Sequence, residues 1–246
     1  MLRPHTTGRG GFPATPWSTI LSARLTGGGQ SRDALAWLCQ AYWPPLYTYL
    51  RKTGHPRDEA EDHVQGFFAK FLEKNYLKHL DPDAGRFRSY LLGALKHYLS
   101  HERDRASARK RGGSGQPLPL ELDIEEAERQ YVVEPATNAT PEKLYERRWA
   151  LALLDQVLVR LQADYEQAGN GERYRVLSAF LPGARTRVSY KQAAQSLEMT
   201  VDAVKVAIFR LRRRYREHLY QTITPTVSTR ADVKDEIRHL LEVLGP

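Results

Sequence analysis

The sequence predicts an all-α protein with two helical domains, an acidic flexible linker between them and a short amphipathic helix at the C-terminal end. Apolar residues recur at spacings of three and four along most of the chain, as in helices buried on one side. No segment shows the sustained alternation of apolar and polar residues that a half-buried strand requires. Between the helical stretches, residues 112–139 combine glycine, proline and acidic residues, a composition typical of a linker.

Composition restricts the class of protein. A chain of 246 residues, 41% of them apolar, is long enough to form one or two hydrophobic cores. No window approaches the roughly 18 uninterrupted apolar residues of a membrane-spanning helix, and the first residues lack the apolar core of a secretory signal. The single Cys39 cannot form an internal disulfide, and no Cys/His spacing predicts a zinc site. We therefore expect a cytoplasmic protein without a cofactor and without a membrane partner.

Turn and capping signals divide the chain into five parts. These are a disordered N-terminus at 1–15, a helical domain at 16–111, the linker at 112–139, a second helical domain at 140–223 and a C-terminal extension at 224–246. In the second domain, Thr140 and Pro141 mark the start of a helix that we expect to reach Gln167. Its predicted inward face consists of leucines, namely Leu144, Leu151, Leu154, Leu158 and Leu161.

Residues 189–219 carry the most specific pattern. Ser189 and Gln192 form a capping box for a short helix, and Thr200 caps the next helix. The second helix has a predicted buried stripe, Val204, Ile208, Leu211 and Tyr215. Two helices joined by a tight turn predict a helix-turn-helix, whose second helix enters the major groove of DNA. The predicted DNA-contacting residues of this helix are Asp202, Ala203, Lys205, Val206, Phe209, Arg210, Arg213 and Arg216.

The charge distribution supports a polyanionic partner. The formal net charge is +8 and the sequence pI is about 9.6. Basic clusters at 103–111 and 205–216 flank an acidic segment at 121–128. An alternative explanation for the second cluster is a solvated helix whose arginines complement the helix dipole. Six cations without an acid would repel one another, however, so a structural helix would more naturally interleave glutamates.

The helix-turn-helix stretch SYKQAAQSLEMTVDAVKVAIFRLRRR resembles region 4 of bacterial RNA polymerase sigma factors of the compact extracytoplasmic-function type. In that family this module reads the minus-thirty-five promoter element. The chain departs from the family at Glu198, where glycine is common in the turn. We expect this residue to adopt a left-handed backbone, at a cost of about 1 kcal/mol.

Two upstream stretches resemble region 2 of the same family. EAEDHVQGFFAKF is similar to the helix that docks on the polymerase clamp, with Gly66 in place of the usual acid. The resemblance assigns docking to Asp58, Glu61, Asp62, Gln65 and Phe68. FRSYLLGALKHYLSHERDRASARKR is similar to the helix that reads and melts the minus-ten element, although the family often has Arg-Asn where this chain has Lys96-His97. The residues assigned to this role are Arg86, Arg88, Tyr90, Lys96, His97, His101, Arg103 and Arg105.

The residue types of the melting helix suit its implied role. Holding a separated strand requires aromatic side chains that stack on bases, beside cations that contact phosphates. We expect Phe87 and Tyr98 to be core residues and Tyr90 and His97 to face nucleic acid. The resemblance implies a non-enzymatic specificity subunit that binds core RNA polymerase and promoter DNA, both double-stranded and melted. An anti-sigma or other regulatory protein is a possible further partner.

The linker and the C-terminal extension each admit two interpretations. ELDIEEAE either threads the polymerase near the RNA path, as in the family, or is a solvated tether. In the extension, Thr229 and Asp232 form a capping box before a stripe of Val233, Ile237, Leu240, Leu241 and Leu244. We expect this helix to pack on the C-terminal domain. The alternative is that it masks the DNA-reading helix or binds a partner.

Two other functions compete with a sigma factor. One is a stand-alone helix-turn-helix regulator whose N-terminal domain senses a ligand or another protein. The other is a nuclease built on His97, His101 and Glu102, which lie close together along one helix. No carboxylate cluster for magnesium, phosphate loop or nucleophile elbow accompanies these residues in the sequence. We therefore expect the protein not to be an enzyme.

Overall fold

The computed structural model describes residues 42–73, 86–108, 124–133, 139–184, 188–224, 227 and 230–245. Within these ranges the chain is mostly helical and contains no strand, so the all-α prediction is confirmed there. The helices are α1 (residues 42–52), α2 (Arg57–Glu73), α3 (Phe87–Ala108), α4 (Ile124–Val133), α5 (Pro141–Gln167), α6 (Gly171–Leu177), α7 (Tyr190–Ser196), α8 (Val201–Ile223) and α9 (Arg230–Leu244). A 3-10 turn at Ser178–Phe180 follows α6. No helix among these residues has both the length and the apolar character needed to cross a membrane.

The described residues belong to two compact units. The N-terminal unit contains those within Thr15–Ala152 and within Ile223–Pro246, and the C-terminal unit contains Leu153–Thr222. This division differs from the predicted boundaries, because the first part of α5 and the whole of α9 belong to the N-terminal unit. The predicted disordered segment at 1–15 and the capping residue Thr229 lie outside the described residues.

Aromatic side chains contribute much of the core of the N-terminal unit. The apolar stripe of α2 is buried, with Val64, Phe68 and Phe71 fully inaccessible. The ring of Phe87, at the start of α3, meets the ring of Tyr42 edge-on at a centroid distance of 5.2 Å. Phe87 is thus a core residue, as predicted.

The acidic segment is helical where the structure describes it, so the prediction of a flexible linker is wrong over Ile124–Val133. Residues of α4 at helical spacing face the unit, and Ile124 and Ala127 are buried. On the same face, Glu128 accepts hydrogen bonds from Arg51 Nη2 at 2.9 Å and from the Tyr47 hydroxyl. Burial disfavours the Glu128 carboxylate, but the hydrogen bonds from Arg51 and Tyr47 prevail and lower its pKa.

The inward face of α5 is more aromatic than the predicted leucine stripe. Every fourth residue from Tyr145 to Leu161 is buried: Tyr145, Trp149, Leu153, Val157 and Leu161. Leu144 is buried as predicted, whereas Leu151 is exposed. The prediction was wrong at Leu151 because it followed the leucines and gave no weight to tyrosine and tryptophan.

Helix α9 packs on the N-terminal unit, so the expectation that it packs on the C-terminal domain is wrong. Val233 and Leu240 are buried, as the predicted stripe required, but Leu241 is 62% exposed. A carboxylate, Glu236, takes a place in the stripe and is only 1% exposed. Its partners are arginines at the start of α3, which explains why a charged residue is buried there.

Candidate nucleic-acid interface

The exposed face of α8 is the clearest candidate surface for binding nucleic acid. The opposite face of the helix packs into the core of the C-terminal unit, which leaves this face accessible. Val204, Ile208, Leu211 and Tyr215 are all buried, as predicted. On the other side of the helix, Val206 is 49% exposed and Phe209 is 63% exposed. Val206 and Phe209 lie three residues apart on one face of the helix, so together with the neighbouring cations they form a mixed apolar and basic patch that is suited to a partner.

Local hydrogen bonds fix the two helices that form the turn. Ser189 and Gln192 make the predicted capping box, with Ser189 Oγ accepting from the Gln192 amide nitrogen at 3.2 Å. Thr200 Oγ1 accepts from the Ala203 amide nitrogen at 3.2 Å and so caps α8. Between them, Glu198 has a φ of 50°, the left-handed conformation that we expected at this position. The turn has the backbone that glycine usually supplies.

The cations of α8 differ in their partners. Lys205 Nζ lies 3.0 Å from Asp202 Oδ1, and Arg213 Nε lies 2.9 Å from Glu217 Oε1. Both are exposed pairs within one helix, which contribute only a few tenths of a kcal/mol. Arg212 donates two hydrogen bonds to the Phe180 carbonyl oxygen, at 3.1 and 2.9 Å. Arg210 has no hydrogen-bonding or ion-pair partner among the described residues.

The remaining residues predicted on this face are accessible. Asp202, Lys205, Arg210, Arg213 and Arg216 are exposed, and Ala203 is partly exposed. All eight residues predicted to contact the upstream promoter element therefore lie on the accessible side of α8.

The first two residues assigned to the minus-ten role, Arg86 and Arg88, form ion pairs within the N-terminal unit. Arg88 is 2% exposed and forms an ion pair with the buried Glu236, while its Nε lies 3.9 Å from Glu146 Oε1. Arg86 Nε lies 2.9 Å from the second oxygen of Glu236. Burial lowers the pKa of Arg88 to about 10, which still leaves the guanidinium charged at neutral pH. In this structure Arg88 is a core cation and not a surface one, because α9 covers it.

Further along α3, the predicted residues reach the surface. His97 and His101 are exposed, with ring centroids 4.7 Å apart, and Arg103 is exposed as well. Lys96 Nζ lies 2.8 Å from Glu142 Oε1 in an exposed pair.

Three other aromatic and basic residues of α3 lie in different environments. Tyr90 is partly exposed and its ring lies 6.4 Å from that of Phe87. Tyr98, predicted to be core, is only partly buried and meets Phe67 edge-on at 5.8 Å. Only the backbone of Arg105 is described, within α3.

The residues assigned to polymerase docking do not all share one surface. Asp58 and Asp62 of α2 are exposed, and Gln65 donates to Glu61 at 3.1 Å on the same helix. Phe68, by contrast, is fully buried because it belongs to the apolar stripe of α2. In this structure Phe68 can help to position α2 but cannot itself touch a partner.

The structure gives a physical reason for glycine at position 66 of α2. A Cβ added at Gly66 would clash with the hydroxyl oxygen of Tyr98. The phenol of Tyr98 therefore occupies the space over Gly66, and any side chain at position 66 would displace it.

The side chains suggested for a nuclease do not form a metal site. Glu102 pairs with Lys70 of α2. Across the described ranges, no group of three or more His, Cys, Asp or Glu side chains is arranged to hold a metal ion.

Sequence reasoning missed three carboxylates that form ion pairs within the N-terminal unit. Glu128, Glu142 and Glu236 each bind a cation that is distant in sequence. For Glu236 a signal was present, since it stands at helical spacing between Val233 and Leu240. A charged residue inside an apolar stripe indicates a buried partner of opposite charge.

No family model matches this chain, and neither does any curated protein or any solved structure.

Proposed function

We propose that this protein binds duplex DNA through α8, with the helix entering the major groove. The observation that carries this proposal is the exposed face of α8, where Val206 and Phe209 lie among cations opposite a fully buried stripe. Apolar side chains can contact thymine methyl groups, and arginines can reach base edges or phosphates. A capped helix pair with a left-handed turn residue supports the same placement.

More specifically, we propose that the protein is a sigma factor of the extracytoplasmic-function type. In this proposal it joins core RNA polymerase, reads the upstream promoter element with α8 and contributes α3 to the melting of the minus-ten region. The polymerase, and not this chain, carries out catalysis. Support comes from motifs that occur in the family's order and spacing, and from the accessible residues Tyr90, His97 and His101 of α3.

Binding to duplex DNA can be measured by fluorescence anisotropy. Phe209→Ala and Arg210→Ala should each weaken binding to a selected promoter duplex, whereas Lys234→Ala, an exposed residue of α9, should not. If six to ten phosphate contacts form, affinity should fall by about 10³–10⁵ between about 50 and 200 mM salt. A flat salt response of the unmodified protein would contradict the proposal.

The more specific proposal needs a separate measurement. Size-exclusion chromatography of the full chain with bacterial core RNA polymerase should yield a stoichiometric complex. Duplex binding without such a complex would favour the stand-alone helix-turn-helix regulator. Replacing exposed Asp58 and Asp62 by asparagine should weaken the complex and leave duplex binding unchanged.

A further inference from the structure

A groove of about 560 Å³ runs along one side of α8 within the C-terminal unit. Its other wall comes from the end of α5 and the beginning of α6. Four arginines and one glutamate contribute to its lining, together with the ring of Tyr165: Arg173, Arg210, Arg213, Arg214 and Glu217. Arg173 and Arg214 are not among the residues predicted to contact DNA.

Helical spacing explains why the groove lies beside the exposed face of α8. On α8 the lining residues recur at helical spacing, at Ala203, Val206, Arg210, Arg213, Arg214 and Glu217. Val206 and Arg210 also belong to the exposed face proposed to read DNA. The small side chains of Ala203 and Ala207 leave the floor of the groove open. The groove is thus continuous with the proposed reading surface.

The charges in the groove are incompletely compensated. Glu217 pairs with Arg213 at 2.9 Å, which leaves three other arginines. Arg173 Nη2 lies 3.4 Å from the Met199 sulfur, an acceptor that carries no charge. The Arg214 guanidinium lies over the ring of Tyr165, 5.3 Å from its centre, which orients the side chain without neutralising it. Converging cations of this kind are stabilised by an anionic ligand.

We propose that this groove binds the phosphodiester backbone of the duplex, with Arg173 and Arg214 supplying phosphate contacts from outside the reading face. This inference rests on the proposed duplex binding by α8. A helix in the major groove lies between two phosphate backbones, so an arginine-lined groove along its side meets one of them. Guanidinium groups are suited to this role because they bind phosphate oxygens in a bidentate manner.

The test compares two arginines of the same short helix. Arg173 lines the groove, whereas Arg175 does not and pairs with Glu172 at 2.6 Å. Both are exposed, so neither replacement should affect folding. Duplex affinity of the full chain is measured by anisotropy over a range of salt concentrations, for Arg173→Ala, Arg173→Lys and Arg175→Ala.

Loss of one phosphate contact gives a specific signature. Arg173→Ala should weaken binding to all duplex sequences alike, and the slope of log K against log salt should become shallower by about 0.9. Arg173→Lys should recover most of the slope, and Arg175→Ala should match the unmodified protein. An unchanged slope for Arg173→Ala, in a protein that does bind duplex DNA, would overturn this inference alone. Absence of duplex binding by the unmodified protein would instead overturn the proposed function.

A free polyphosphate is the other source of the same ligand chemistry. Inorganic pyrophosphate is therefore titrated into the protein in the absence of DNA and followed by calorimetry. Saturable pyrophosphate binding that Arg173→Ala abolishes, combined with an unchanged duplex slope, would assign the groove to a soluble anion and refute backbone binding.

Discussion

Replacing Glu236 tests the buried ion pair that attaches α9 to the N-terminal unit. The Glu236 carboxylate is almost inaccessible, and it binds Arg88, whose side chain is 2% exposed, as well as Arg86, whose side chain is 38% exposed. Glu236→Gln keeps the shape of the side chain and removes its charge. Arg88 then remains buried without its main counter-charge.

The size of the effect follows from the surroundings of Arg88. Removing one partner of a buried ion pair costs about 3–5 kcal/mol, because the other charge stays desolvated. Two neighbours remain to compensate Arg88, namely Glu146 at 3.9 Å and the ring of Trp149, whose centre lies 4.4 Å from the guanidinium carbon. We therefore expect the free energy of unfolding to fall by about 3 kcal/mol, the lower end of this range. For a chain of this size that corresponds to a fall in Tm of about 6–12 °C.

Equilibrium unfolding in urea, followed by tryptophan fluorescence, measures this loss because Trp149 packs against Arg88. Glu242→Gln is the matched control, since Glu242 is an exposed glutamate on the same helix. The control should change the free energy of unfolding by less than about 0.5 kcal/mol. Arg88→Met combined with Glu236→Leu should recover much of the stability, because an apolar pair of similar volume avoids the desolvation cost. Equal stability of Glu236→Gln and its control would refute the reasoning.

Three further predictions concern stability. Glu198→Gly should raise the free energy of unfolding by about 1 kcal/mol, because glycine adopts a positive φ without strain; Glu198→Ala, which keeps the Cβ, should give no such gain. Gly66→Ala should cost about 1–3 kcal/mol, because its methyl group meets the Tyr98 hydroxyl, and Tyr98→Phe should reduce that cost in the double variant. Burial lowers the pKa of His239, so the folded protein resists protonation of this ring. The contribution of neutral His239 to stability is therefore fully present above its unfolded pKa of about 6.5 and is lost as the pH falls below that value. His239→Gln should make the urea midpoint less sensitive to pH between about 7 and 5.

The features predicted correctly from the sequence are those that neighbouring residues determine. The capping box of Ser189 and Gln192 depends on residues three apart, as does the Thr200 cap. The limits of α5, Pro141–Gln167, follow from a capping threonine and a glycine-containing turn. The left-handed conformation of Glu198 was expected from the family resemblance, in which glycine is common at this position of the turn.

Features that depend on distant residues were not predicted. Arg88 and Glu236 are 148 residues apart, and Arg51 and Glu128 are 77 apart. Periodicity identifies which face of a helix is apolar, but it does not identify the surface that this face meets. For that reason α9 was assigned to the wrong domain and α4 was taken for a flexible tether. Phe68 was likewise assigned to docking by its motif, although its burial follows from the stripe to which it belongs.

The two helices proposed to contact DNA differ in how firmly their cations are held. On α8 the pairs Lys205–Asp202 and Arg213–Glu217 are exposed, so phosphate groups can replace them at little cost. On α3, contact between Arg88 and a separated strand would require the buried pair with Glu236 to break, at a cost of several kcal/mol. Under the proposed function, duplex recognition by α8 therefore requires only the exchange of exposed ion pairs on that helix, whereas use of Arg88 in strand separation needs α9 to move. Strand contacts made without such movement must come from the accessible residues of α3, namely Tyr90, Lys96, His97, His101 and Arg103.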